Sequence, residues 1–102
     1  MKYVMLRSEH GGHHAILFHD RLTHSIVAHG VVREYRRNGE FYNIVSAGFY
    51  DDENKVSHGE SESLNLKSEP YDAAYIFLGD SVSLVPTNEV MGLLAQLKRM
   101  MT

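Results

Sequence analysis

A chain of 102 residues with a net charge of −3, 43% hydrophobic and 23% charged residues, has the make-up of one folded domain, expected over 1–102, and not of a disordered or fibrous chain. With no cysteine, thiolate metal sites, thiol catalysis and disulfide staples are excluded, and no apolar run reaches the ~18 residues of a membrane-spanning helix. The charge is uneven: residues 1–50 carry six basic and four acidic side chains and residues 51–102 four and nine, which weighs against a general nucleic-acid binder while leaving room for a local basic patch.

The first apolar stretch, residues 3–6, turns charged at Arg7 and Glu9. It is too short for a signal-peptide core, so a cytoplasmic protein is expected. Gly11-Gly12 supplies a tight turn between strands at 2–8 and 13–19. Both strands are apolar on consecutive residues, as central strands covered on two faces are. Thr23 caps a helix with Ile26, Val27, Val31 and Tyr35 at helical spacing; Arg33, Arg36 and Arg37 lie near its C-terminus and Asn38-Gly39 stops it. Gly30 disfavours that helix, and strand is the alternative for 22–37.

Residues 41–50, aromatic and β-branched, read as a strand, and residues 51–54 as a polar turn. Residues 55–64 then return antiparallel as an acidic edge strand or an extended loop. Ser68-Glu69-Pro70 opens a helix with an apolar body of Ala73, Ala74, Ile76, Phe77 and Leu78, closed by Gly79. A last helix is expected at 87–101, where Val90, Leu94, Leu97 and Met101 form one stripe. The resulting fold class is α+β: an antiparallel sheet of two β-hairpins packed on one face against two or three helices.

Six of the seven histidines lie between residues 10 and 29, which raises a metal site with His10, His13, His14 and His19 as candidates. The spacing argues against a preformed one, because His13 and His14 are adjacent and face opposite ways in a strand, and His24 and His29 are five apart. Gly59-Glu60-Ser61-Glu62-Ser63 lacks the second glycine of a nucleophile elbow, and Gly11-Gly12 lacks the residues of a phosphate loop. No cofactor is implied. Arg33, Arg36 and Arg37, with Tyr35 between them, form the basic cluster that a nucleic-acid backbone would meet. Met91, Leu93 and Met100 lie outside the main stripe of the last helix and are candidates for a homodimer interface.

Residues 46–50, 58–64 and 66–73, which include Ser46-Ala47-Gly48-Phe49-Tyr50 and Lys67-Ser68-Glu69-Pro70-Tyr71-Asp72, resemble the middle of small uncharacterised bacteriophage and prophage proteins. The resemblance brings no catalytic residues. It implies an accessory factor, some of which bind host or defence proteins. The expected function is therefore a non-enzymatic interaction protein with a protein partner, its contact candidates His58, Glu60, Ser61 and Glu62 on the acidic edge. A histidine metal-binding protein or small metal-assisted hydrolase is the alternative, and a nucleic-acid binder through the arginines the second.

Overall fold

The chain turns back on itself at residues 8–12 and pairs β1 (Lys2–Ser8) with β2 (His13–Phe18), Lys2 opposite Phe18 and Arg7 opposite His13. This is a computed structural model that describes residues 1–79 and 81–85. The remaining elements are α1 (His24–Arg37), β3 (Tyr42–Asp51), β4 (Val56–His58), β5 (Glu60–Ser61), β6 (Leu66–Lys67), α2 (Asp72–Leu78) and β7 (Val82–Leu84). Five strands form one mixed sheet in the order β4-β3-β1-β2-β7, and β5 and β6 form a separate two-stranded ribbon. The helix expected at 87–101, with Met91, Leu93 and Met100, lies outside the described residues.

Alternation along the central strands sorts side chains onto two faces. Val4, Leu6, Ile16 and Phe18 bury against Val27 and Ala28 of α1, while Tyr3, Met5, Ala15 and Tyr50 bury against Ala73 and Ile76 of α2. Each large apolar side chain so buried contributes about 1.5–3 kcal/mol before ordering costs. A bulge between Met5 and Leu6 in the β1–β3 pairing leaves Val45 unpaired and turns both Ile44 and Ala47 toward α1 although they are three residues apart.

The α+β class stands, with two departures from the expected plan. The helices cover opposite faces of the sheet, because its two middle strands are apolar on both sides. The sheet is mixed, because β7 joins β2 in parallel, with Val82 opposite Ala15 and Leu84 opposite Leu17.

Helix forms over 24–37, and the strand alternative for that segment is not realised. The Thr23 hydroxyl accepts from Ile26 N–H, Arg36 and Arg37 occupy the last turn, and Asn38 caps the end. No helix among the described residues is long and apolar enough to cross a membrane.

Candidate functional site

The return segment expected at 55–64 is broken by Gly59. At φ +76° its backbone sits where side-chain-bearing residues are strained, and an added Cβ would lie 2.9 Å from Phe49 Cδ2. The chain therefore leaves the sheet after His58 and forms the β5–β6 ribbon. β4 is left as the outermost strand beyond β3, Val56 opposite Asp51 and His58 opposite Phe49.

The turn before β4 is organised by Asp51, whose carboxylate accepts from Asn54 Nδ2 (2.7 Å) and from the backbone N–H groups of Glu53 (3.0 Å) and Asn54 (3.3 Å). These bonds, those from Asn54 first, hold its carboxyl below the usual range. Asp52 pairs with Lys55 Nζ at 2.9 Å, and that ammonium lies 6.0 Å from the centre of the Phe77 ring.

α2 is pinned beside this turn by buried polar groups. Tyr3 hydroxyl donates to Asp72 Oδ2 (2.6 Å), Glu69 N–H donates to the same oxygen (3.0 Å), and Ser57 Oγ donates to Glu69 O (2.9 Å). Burial first, and the Asp72 carboxyl second, raise the Tyr3 phenol far above its usual range. The helix begins at Asp72 and not at the Ser68-Glu69-Pro70 signature, because Asp72 is drawn wholly inside by Tyr3.

A helix of seven residues can turn only one stripe toward a sheet. Ala73 and Ile76 take it, leaving Tyr71, Phe77 and Leu78 exposed at 55, 62 and 66% and Tyr75 half-exposed. Phe77 and Leu78, which the apolar pattern of the sequence assigns to the body of the helix, stand on this outer face; their position relative to Ala73 and Ile76 is the signal for it. Exposed Val56 adds to the surface, and the His13 ring stacks on Tyr75 at 4.3 Å. At the edge of the same face a groove of about 680 Å³ is lined by Leu17, Tyr50 and Leu84, with Asp51, Asp52 and Glu53 at its rim.

Of the four contact candidates, His58 is exposed and stacks on Phe49 (5.8 Å), and Glu60 and Glu62 are exposed beside a second groove that holds Lys2 and His24. Ser61 is placed otherwise. It is buried, and its hydroxyl accepts from Leu64 N–H (3.2 Å), closing the turn of the ribbon. Ser63 Oγ accepts from Ser25 N–H (3.1 Å) and docks the ribbon on the start of α1.

The four candidate metal ligands do not converge. His10 is solvated beside Glu9 (3.7 Å), His13 stacks on Tyr75, and His19 Nδ1 accepts from Arg21 N–H (3.2 Å). His14 faces the α1 side, its Nδ1 hydrogen-bonded to Ser81 Oγ and its Nε2 to Ser83 Oγ (3.0 Å) and Tyr35 hydroxyl (3.1 Å). Among the described residues no three His, Asp or Glu side chains assemble as a metal site.

Serine against imidazole is the opening geometry of nucleophilic catalysis. Here a second serine holds the other nitrogen and, among the described residues, no carboxylate hydrogen-bonds the ring, so the arrangement clasps β7 to β2. His24, also within the fold, donates from Nε2 to Gly48 O (2.9 Å) and lies edge-on to Phe18 and Phe49. Comparison of the chain with family models, curated proteins and solved structures finds no match.

Burial lowers the affinity of both His14 and His24 for a proton. The unfolded chain protonates these rings near pH 6.5 while the folded chain keeps them neutral, so it is the unfolded state that binds more protons below that pH. Stability is therefore full above about pH 6.5 and falls as pH drops through the lowered folded values. Urea denaturation at pH 7.5 and 5.5 is expected to show the lower midpoint at pH 5.5, with the difference reduced in His14→Asn. An equal or higher midpoint at pH 5.5 would sink this account.

Proposed function

We propose that this chain is a non-enzymatic interaction protein that docks a basic protein partner on the face built by α2 and β4. The observation that carries the reading is the exposure of Tyr75, Phe77 and Leu78 on the seven-residue helix α2, with Tyr71 exposed at its N-cap. Aromatic residues are enriched where protein interfaces concentrate their energy, at the apolar centre of a patch with a polar rim. Asp51, Asp52 and Glu53 supply that rim, and their charge selects a partner carrying lysine or arginine around an apolar centre. β4 adds an outer strand edge of three residues beside the patch. In the phage or prophage setting that the resemblance of residues 46–73 implies, the partner is a host or phage protein.

A photo-cross-linking residue placed at position 77, with one at the exposed Glu9 as control, tests the face directly. The expected result in a lysate of the source cell is one discrete adduct from position 77 and none from position 9. The captured protein should be basic, and Tyr71→Ser/Leu78→Ser should weaken capture by about tenfold or more, as loss of two anchors does. Equal capture from both positions, or adducts only with a second copy of the chain, would reject it.

A further inference from the structure

The arginines form a motif of the sequence that the α2 face does not use, and the structure gives them a fourth member. His29, Arg33, Arg36 and Arg37 fall at i, i+4, i+7 and i+8 of α1 and so share one side of the helix. With Val32 they line a groove of about 500 Å³ on the outer side of α1. Arg37 meets Glu34 at 3.8 Å, and among the described residues neither Arg33 nor Arg36 has a carboxylate within ion-pair distance.

Tyr35, which the sequence interleaves with these arginines, points away from them: its hydroxyl bonds His14 and its ring packs on Tyr42 at 4.8 Å. Among the described residues the basic face thus has charge but no tyrosine or phenylalanine ring as a stacking platform. Single-strand binding relies on aromatic stacking; a contact with phosphate alone suits a duplex, where charge density is highest.

We infer that this side of α1 is a contact for the phosphate backbone of duplex DNA, on the opposite face of the sheet from the proposed protein-docking surface and independent of it. From His29 to Arg37 the helix runs about 12 Å, and a duplex carries roughly seven phosphates over that length. Three arginines therefore all find partners. The contact is sequence-independent, and with only three arginines it is weak except at low salt.

Fluorescence anisotropy of a labelled 20-base-pair duplex with the full chain tests the inference. Binding is expected at 20 mM salt, with log K falling against log salt at a slope of about −2.7, the value for three neutralised phosphates. Arg33→Ala/Arg36→Ala/Arg37→Ala, its fold checked by circular dichroism, is expected to weaken binding by about tenfold or more at low salt. If that variant does not fold, the single exposed change Arg36→Glu supplies the same readout. Phe77→Ser on the other face is expected to leave duplex binding unchanged. Three results would overturn the inference: no binding at 20 mM salt, arginine variants that bind like the parent, or competition by polyglutamate equal to that by duplex, which would mark a contact for acidic protein.

Discussion

Gly48→Ala is expected to lower the unfolding free energy by about 3 kcal/mol, the upper part of the usual range for overpacking. A Cβ at Gly48 would meet His58 O at 2.6 Å and Ser68 Cβ at 2.9 Å, with Gly59 O at 3.4 Å. The nearest of these atoms belongs to the backbone and has no rotamer to escape into, so β3 and β4 must separate or the ribbon must lift. The same residue's carbonyl receives the His24 bond, so movement here also loosens the start of α1. Gly12→Ala is the matched control: its Cβ would find Ser8 Oγ at 3.5 Å, an ordinary contact. Urea denaturation of both variants checks the expectation, and a Gly48→Ala loss no larger than that of Gly12→Ala would show that the strands accommodate the methyl group.

Tyr3→Phe is the second large effect, with an expected loss of about 2–3 kcal/mol. It removes one oxygen and leaves the shape of the core unchanged, so packing does not explain the cost. Asp72 has no exposed surface, and among the described residues its Oδ1 has no hydrogen-bond partner, so the two bonds to Oδ2 are all that the carboxyl receives. Deleting one leaves a buried polar group half-served, which costs more than an average hydrogen bond gains. Tyr35→Phe, whose hydroxyl meets a partly solvated His14, is expected to cost about 1 kcal/mol or less. Denaturation that ranks the two variants equally would refute the view of Asp72 as the pin of α2. Because α2 carries the exposed aromatic residues, the Tyr3→Phe variant is also expected to capture the cross-linked partner less well.

The elements set by near neighbours were legible in the sequence. Gly11-Gly12, the Thr23 cap and the Asn38-Gly39 stop each act within a few positions, and β1, β2 and α1 lie where they indicated. Apolar runs at 3–6 and 15–18 correctly marked strands covered on two sides, although the architecture drawn from them put the helices on one side. What escaped depends on distant partners. β7 exists because Val82 finds Ala15 across the chain, and no local pattern in so short a segment announces that. Asp72 moves the start of α2 because Tyr3, at the other end of the sequence, draws it inward. Of the four residues expected as contacts on the acidic edge, His58, Glu60 and Glu62 reach solvent, whereas Ser61 closes its own turn. The aromatic surface of α2 went unseen because a helix too short to bury more than one stripe looks, in sequence, like a core helix.

The His14 clasp on β7 also has a meaning for the order in which the molecule assembles. Ser83 stands 69 positions from the imidazole it binds. Closing a loop of that length costs entropy that only the finished sheet returns, so pairing so remote in sequence belongs to the late, slow steps. The hairpin of β1 and β2 forms from neighbours in the chain, and until β7 arrives the outer edge of β2 offers unpaired backbone groups to any other strand. During synthesis that edge is complete long before its cover has been made, which makes β2 the point where a folding intermediate of this protein is most exposed to misassociation.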